Sequence, residues 1–236
     1  MEEILNAVTL KSVDYGESDK MITFFTLERG VISVGAKGIK KDKARLKFSA
    51  EPFCFSSIKI SEKNGRLTLV NADCKKSYFS LSSDLSAYFS ACLISECVCY
   101  LFKDDACEQA FKSLLAAFES MHGGARKSVA VKFLTEALAL SGYGYDFSGC
   151  YGCGEKLENA VYLSGDADEF LCSDCAKEGD VKFSLATYLR LKELNGLSYV
   201  DLSDERADNN CLKLLSLAFR EKTGLKFKTI DMLLQI

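Results

Sequence analysis

The chain has 236 residues, 48% of them apolar and 27% charged, a composition typical of a globular protein with a hydrophobic core. Its 30 basic and 33 acidic residues give a net charge of −3, which excludes a uniformly basic nucleic-acid coat but leaves room for a local basic patch. A single histidine, His122, excludes any metal site that needs two histidine ligands. The eleven cysteines are an odd number, so a fully paired disulfide framework would leave one thiol over.

The chain begins with the acidic stretch Met-Glu-Glu-Ile-Leu-Asn, which lacks the basic and long apolar regions of a signal peptide. The most apolar window, residues 85–102, contains Glu96 as its only charged residue, and its helical spacing and serines favour a buried helix over a membrane span. We therefore expect a cytoplasmic protein with reduced cysteines and no membrane partner.

The first 75 residues have the pattern of short strands rich in Val, Ile, Phe and Thr, separated by glycine-containing turns. The dipeptide Asn64-Gly65 is a strong hairpin signal. Five short strands without a helix predict a small β-barrel, for which an OB-fold is the natural candidate at this size. The predicted strands are Ile4–Val13, Met21–Leu27, Val31–Lys37, Pro52–Ile60 and Arg66–Asn71.

From Ser82 onward the apolar period becomes helical and predicts three helices, a cysteine-rich segment at 149–176, and two further helices. The sequence therefore predicts an α+β protein with an OB-fold domain at 1–78 and an α-helical domain at 79–236 that carries an insert at about 148–178. Residues 1–80 hold 14 basic and 10 acidic residues, a net of +4, and the rest hold 16 and 23, a net of −7. This asymmetry favours different electrostatic roles for the two parts.

Four cysteines have the spacing of a metal site: Cys150 and Cys153, then 18 residues, then Cys172 and Cys175. Two thiolates separated by two residues can face one metal ion, and two such pairs complete a tetrahedron around Zn²⁺. Because four protein ligands leave no position for water, the pattern predicts one structural zinc ion. The alternatives are a coincidence of the cysteine-rich composition or a C-x-x-C redox pair. The other seven cysteines are predicted to be reduced core residues.

The densest basic run follows a predicted strand and puts six cations and one acidic residue into residues 37–47. A basic loop that contains glycine suits contacts with nucleic-acid phosphates, and a solvated mobile loop is the alternative that composition leaves equally open. The strand aromatics Phe24, Phe25, Phe53 and Phe55 could stack on bases, although strand aromatics are more often core residues. The six predicted DNA-binding residues are Lys37, Lys40, Lys41, Lys43, Arg45 and Lys47.

Motifs that carry catalysis are missing from the sequence. There is no G-x-x-x-x-G-K-[ST] run for ATP, and the carboxylates show no spacing that singles out an acid/base pair. His122 has no identifiable nucleophile partner. We therefore expect a binding protein and not an enzyme.

Three stretches of the chain resemble the bacterial RecO recombination-mediator family. Residues 8–30, followed by Val34-Gly-Ala-Lys-Gly38, are similar to the family's opening. Residues 142–150, Gly-Tyr-Gly-Tyr-Asp-Phe-Ser-Gly-Cys, resemble its approach to the zinc cysteines, and residues 219–228 resemble its C-terminal helix and tail. The resemblance covers essentially the whole chain and implies an OB-fold domain, a helical domain and a zinc-binding insert.

The resemblance also implies a role in DNA repair: binding single- and double-stranded DNA, annealing complementary strands, and acting with RecR to load RecA onto strands coated with single-stranded DNA-binding protein (SSB). It implies a cytoplasmic location, at the nucleoid when engaged on DNA. In the family the helical domain can receive the acidic C-terminal tail of SSB, and here Arg126, Lys127 and Lys132 are the candidate cations, with Phe133 and Leu134 as possible groove walls. The alternatives are an RNA-binding or transcription-associated protein with a zinc ribbon and an OB barrel, and a C-x-x-C thiol redox enzyme.

Overall fold

The computed structural model describes residues 2–103, 105–124 and 126–236. The chain divides into two compact units, Met1–Glu119 and Ser120–Ile236. Across the described ranges, no helix combines the length and the apolar character needed to span a membrane.

Five strands of the first unit close into a barrel with the order β1-β2-β3-β5-β4. All neighbouring strands are antiparallel except β3 and β5, which are parallel and meet at the pair Gly35 and Thr68. The predicted OB-fold barrel is therefore confirmed. The strands are β1 (Glu2–Tyr15), β2 (Asp19–Thr26), β3 (Gly30–Ala36), β4 (Cys54–Lys63) and β5 (Arg66–Ser77).

The barrel interior follows the alternation that a half-buried strand requires. Along β3, the side chains of Ile32, Val34 and Ala36 are buried while Ser33 between them is exposed. Beyond β3 the buried side chain of Ile39 joins the same core, and Leu46 and Phe48 pack partly against it. A short 3-10 helix at Lys47–Ala50 then leads into β4. The loop between β3 and β4 is thus held to the barrel by its apolar residues.

Two helices, α1 (Leu85–Leu101) and α2 (Glu108–Ser120), follow the barrel. The carboxylate of Asp84 caps α1 by accepting the backbone N–H of Ala87 at 2.7 Å. The strand aromatics are packed inside this unit, as strand aromatics more often are: Phe24 lies in the barrel core, and the other three contact rings in or next to these helices. Phe24, Phe25 and Phe53 are at most 1% exposed. The ring pairs are Phe25 with Phe102 and Phe111, Phe53 with Tyr88 and Phe118, and Phe55 with Phe111.

The second unit contains α3 (Lys127–Leu140), α4 (Leu185–Gly196), α5 (Ala207–Thr223) and α6 (Lys228–Leu233). The first three of these helices pack on one another around buried Leu, Val and Phe side chains. Gly224 ends α5 in the left-handed region at φ 73°, where glycine is favoured because it has no Cβ.

Between α3 and α4 the chain forms a small sheet with the order β7-β6-β8, which the sequence did not predict. Its strands are β6 (Ala160–Leu163), β7 (Phe170–Leu171) and β8 (Val181–Ser184). The ring of Tyr188 in α4 packs against Phe147 and Phe170, and its hydroxyl donates to the Phe147 carbonyl oxygen at 3.0 Å. These contacts join the small sheet to α4.

Candidate metal centre and nucleic-acid interface

The four predicted ligand cysteines come together on the small sheet. The Sγ atoms of Cys150, Cys153, Cys172 and Cys175 all lie within 4.8 Å of one another, and those of Cys153 and Cys172 are 3.9 Å apart. A tetrahedron with Zn–S bonds of about 2.3 Å has its sulfur atoms about 3.8 Å apart. The donor set and its spacing therefore fit one metal ion with four thiolate ligands.

Backbone hydrogen bonds shape the turn that carries the first cysteine pair. The N–H of Cys150 donates to the Glu155 carbonyl oxygen and the N–H of Gly154 donates to the Cys150 carbonyl oxygen, both at 2.8 Å. A Cβ atom at Gly152 would lie 3.0 Å from the sulfur of Cys175, so glycine gives the two cysteine pairs room to approach closely.

The protonation of the cysteine cluster depends on its hydrogen bonds. Burial alone would raise the pKa of Cys150, but backbone N–H groups, first among them that of Cys172 at 3.2 Å, outweigh it and lower this pKa to about 6. In contrast, hydrogen bonds shared with the other three thiols raise the pKa of Cys175 to about 12. Because the negative charges of four adjacent thiolates repel one another, the four thiols cannot all ionise unless a cation lies among them. A bound metal ion would supply that positive charge.

The seven remaining cysteines only partly match the core prediction. Cys54, Cys97 and Cys211 are buried, and burial raises the pKa of Cys211 to about 12. Cys92, Cys99 and Cys107 are half-buried, and Cys74 is exposed, so the prediction is wrong for Cys74. The spacing of apolar residues in the sequence does not show that Cys74, in β5, is exposed to solvent.

The predicted DNA-binding residues all lie in the loop and short 3-10 helix between β3 and β4, and all six side chains are exposed. Lys40 donates to the Asp14 carboxylate at 2.7 Å, and this contact lowers the pKa of Asp14. In the described part of the chain, no salt bridge involves any of the other five. The apolar residues of the loop therefore point into the barrel, while its cations face solvent.

The basic loop is hydrogen-bonded to the barrel at its base. The carboxylate of Asp19 accepts the N–H of Gly38 at 2.7 Å, and the Ser18 carbonyl oxygen accepts the N–H of Lys40 at 3.0 Å. The hydrogen bond from the Gly38 N–H and, after it, the one that the Ser18 hydroxyl donates to Asp19 lower the pKa of Asp19, and the charges of Lys37 and Lys41 add to this effect. The base of the loop also borders a groove of about 430 Å³, whose lining includes Lys20, Lys37 and Arg66.

The three cations predicted to bind a partner lie at and along α3, but they do not form one open patch. The side chain of Lys132 is only 5% exposed, and its ammonium group donates to Glu136 at 2.7 Å and lies 5.2 Å from the ring centre of Tyr199. Lys127 donates to the Asn209 side chain at 2.8 Å. The backbone N–H of Arg126 donates to the carboxylate of Asp204 at 2.8 Å. Phe133 and Leu134 are core residues, so the expectation that they wall an open groove is wrong.

Two cationic side chains of the second unit are buried and were not predicted from the sequence. Arg190 in α4 donates to Asp208 in α5 at 2.8 Å, and its other contacts include Glu193 and Glu205. Burial opposes the charge of Arg190, but the hydrogen bonds that Arg190 donates to Asp208 and Glu193 outweigh it and raise the pKa of Arg190. Charged residues on a helix are mostly exposed to solvent, so the sequence does not indicate that the side chain of Arg190 is buried.

The second buried cation is Lys222 in α5, whose side chain is 3% exposed. It donates to Asp168 of the insert at 2.7 Å and lies 4.8 Å from the ring centre of Tyr145 and 5.8 Å from that of Tyr143. Lys222 thus ties the Gly-Tyr-Gly-Tyr segment and the cysteine-bearing insert to α5 through an ion pair and two cation–π contacts.

Comparison with known proteins gives one consistent result. A family model described as "Recombination protein O N terminal" matches residues 1–78, and one described as "Recombination protein O C terminal" matches residues 82–229. The chain is 30% identical over 200 residues to the DNA repair protein RecO of Shouchella clausii, covering 84% of this chain and 78% of the relative. It is 29% identical over 237 residues to that of an Exiguobacterium species, covering 97% and 94%, and 29% identical over 191 residues to that of Clostridium novyi, covering 80% and 75%.

Proposed function

Because the chain belongs to the RecO family of DNA repair proteins, we propose that it is a recombination mediator that works by binding and not by bond chemistry. In this proposal it binds single- and double-stranded DNA, anneals complementary strands, and acts with RecR to load RecA onto SSB-coated strands. It does so in the cytoplasm, at the nucleoid when engaged on DNA.

The observation that carries the proposal is the basic loop at 37–47. Six exposed cations on a loop that is anchored to an OB-fold barrel form a surface suited to phosphate contacts, which supply affinity without reading sequence. Two strands bound at one cationic surface repel each other less, so annealing follows from charge neutralisation alone. The net charge of the first 80 residues, +4, supports this location, whereas the rest of the chain is acidic.

Strand annealing tests the proposal directly. Complementary oligonucleotides coated with SSB are mixed with the full-length protein, with and without RecR, and duplex formation is followed by fluorescence quenching. We expect the protein to accelerate annealing, and we expect the variant Lys40→Glu/Lys41→Glu/Lys43→Glu to lose both this acceleration and low-salt DNA binding for all sequences. A matched control reverses the charge of three exposed lysines of the second unit, Lys156, Lys213 and Lys226. Equal activity of the loop variant and the wild type contradicts the assignment of the loop.

RNA is the competing ligand, since an OB barrel with a zinc ribbon also occurs in RNA-binding proteins. Family membership among DNA repair proteins supports DNA. A competition experiment between single-stranded DNA and structured RNA of equal length distinguishes the two. Preferential binding of the RNA contradicts the proposal.

We also propose that the four-cysteine cluster holds one structural zinc ion through Cys150, Cys153, Cys172 and Cys175. The thiolate donors favour Zn²⁺ over hard cations such as Mg²⁺, and four protein ligands leave no position for a reacting water. Elemental analysis of the purified chain is expected to give one zinc per molecule. A metal-free protein with a reversible Cys150–Cys153 disulfide contradicts this and supports the redox alternative.

For the acidic SSB tail we propose a docking site along α3 that uses Arg126, Lys127 and Lys132. The ammonium group of Lys132 is already paired with Glu136, so a peptide carboxylate has to displace that partner. The variant Glu136→Gln removes the competing charge and is therefore expected to tighten binding of a fluorescent SSB-tail peptide, whereas Lys127→Glu is expected to weaken it. If neither variant changes peptide affinity, the tail binds elsewhere.

A further inference from the structure

A second pair of cysteines lies in the barrel, separate from the metal centre. The sulfur atoms of Cys54, the first residue of β4, and Cys74 in β5 are 3.7 Å apart. In the register of these strands Ser56 lies opposite Cys74, while a bulge shifts Cys54 to a position opposite Ser77. Since residues two apart on a strand share a face, Cys54 and Cys74 are diagonal neighbours on one face of the sheet.

This pair has a chemistry different from that of the four-cysteine cluster. Within the described ranges, the four-cysteine cluster is the only group of three or more potential metal ligands, so Cys54 and Cys74 have no third donor. Packing does not account for the pair either, because Cys74 is exposed whereas Cys54 is buried. One accessible thiol in contact with one inaccessible thiol is an arrangement typical of a reactive and a resolving cysteine.

We propose that Cys74 and Cys54 form a peroxide-reactive dithiol that closes to a disulfide between β4 and β5. The thiolate of Cys74 attacks hydrogen peroxide: an S–O bond forms, the O–O bond breaks, and the hydroxide that leaves is protonated to water. The sulfur of Cys74 is oxidised to a sulfenic acid and the peroxide is reduced. Cys54 then attacks the Cys74 sulfur, the S–S bond forms, the S–O bond breaks, and the leaving hydroxide takes the Cys54 proton to give a second water.

The environment of each sulfur supports this order of events. Peroxide reaches Cys74 from solvent, whereas Cys54 is shielded by the barrel. Burial raises the pKa of Cys54 to about 11, so Cys54 keeps its proton and does not itself attack peroxide. The Ser56 hydroxyl lies 3.3 Å from the Cys54 sulfur and provides a polar neighbour for the departing proton. A normal disulfide of about 2.0 Å then requires the two sulfur atoms, now 3.7 Å apart, to approach by about 1.7 Å.

The test uses the full-length protein treated with increasing hydrogen peroxide, then denatured, alkylated and mapped by peptide mass spectrometry. We expect a cross-linked pair of peptides that contains Cys54 and Cys74, with the loss of two hydrogen atoms and of two alkylatable thiols, reversed by dithiothreitol. In Cys54→Ser the reaction is expected to stop at a sulfenic acid on Cys74, which dimedone traps. In Cys74→Ser we expect Cys54 to stay alkylatable, and in the control Cys99→Ser we expect the cross-link to form unchanged.

Two results would overturn the proposal. The first is that Cys54 and Cys74 remain separately alkylatable at peroxide doses that already oxidise other cysteines of the chain. The second is that Cys74 links to a different cysteine or to a second copy of the chain. Neither result bears on DNA binding, so the dithiol and the mediator function fail independently.

Discussion

Neutralising part of the basic loop provides a quantitative test of how the chain binds DNA. We consider Lys41→Ala/Lys43→Ala/Arg45→Ala, which removes three exposed cations that belong to no salt bridge in the described part of the chain. Each phosphate contact on single-stranded DNA contributes about 0.7 to the slope of log affinity against log salt, so the triple variant is expected to lower the slope by about 2. If the counterion contribution is taken as zero near 1 M salt, the affinity falls about 500-fold at 50 mM and about 30-fold at 200 mM.

Lys40 provides an internal contrast, because its ammonium group is already bound to the Asp14 carboxylate at 2.7 Å. A phosphate that replaces Asp14 gains less than one that binds a lysine without a partner, so Lys40→Ala is expected to lower the slope by less than about 0.7. Removing the competing charge with Asp14→Asn is expected to strengthen DNA binding at low salt.

The assay is fluorescence anisotropy of a labelled single strand across a salt series, with circular dichroism to confirm that each variant is folded. The control replaces the three exposed lysines of the second unit, Lys156, Lys213 and Lys226, by alanine and is expected to leave the slope nearly unchanged. An affinity loss in the loop variant that does not depend on salt would refute the phosphate-contact reasoning, and so would an unchanged slope.

Three further predictions follow from the same geometry. Treatment with a metal chelator is expected to increase hydrogen exchange at the amides of residues 148–184 while the barrel amides stay protected. The reason is that a sheet with one two-residue strand buries too little apolar surface to be stable without the metal. Equal protection before and after chelation contradicts this expectation. Asp208→Ala leaves the charge of Arg190 buried at 3% side-chain exposure and is expected to cost about 3–5 kcal/mol in urea unfolding, whereas Glu205→Gln, at the 52% exposed Glu205, is expected to cost less than about 1 kcal/mol. The pKa of Asp19 is lowered in the folded state, so the stabilisation by its carboxylate is fully present above the ordinary pKa of 3.8 and is lost as the pH falls through the folded-state pKa. In acid, the Gly38 amide, which donates to Asp19, is therefore expected to exchange faster than neighbouring barrel amides. A Gly38 exchange rate that shows no such acid dependence contradicts this role of Asp19.

The four-cysteine cluster was predicted from the sequence almost completely, because two C-x-x-C pairs are local features of the chain. The backbone between Cys150 and Cys153 can turn in few ways, and glycines next to the cysteines permit the turn. The small sheet that brings the second pair, Cys172 and Cys175, to the first was not predicted. Its strands have only two to four residues, which is too short for a period-2 pattern to be recognised.

The basic loop shows what a charge pattern leaves open. The run of cations at 37–47 was visible, but its attachment to the barrel depends on buried Ile39 and on the hydrogen bond from Gly38 to Asp19, which lies 19 residues away. Contacts between residues far apart in sequence leave no local signal. Lys132 gives a second example of a tertiary contact without a local signal. Its position on a helix suggested an exposed cation, whereas its ammonium group is paired with Glu136 and lies against the ring of Tyr199.

By itself the sequence determined the α+β class, the OB-fold barrel, the order of the helices and the four clustered cysteines, because strand alternation, helical period and cysteine spacing are all short-range properties of the chain. Only the tertiary structure decided which cations face solvent and which cysteines touch. The rings that cover Phe25 and Phe53, those of Phe111 and Phe118, belong to a helix more than 50 residues later in the chain. Likewise, Cys54 and Cys74 meet because the register of β4 and β5 places them side by side.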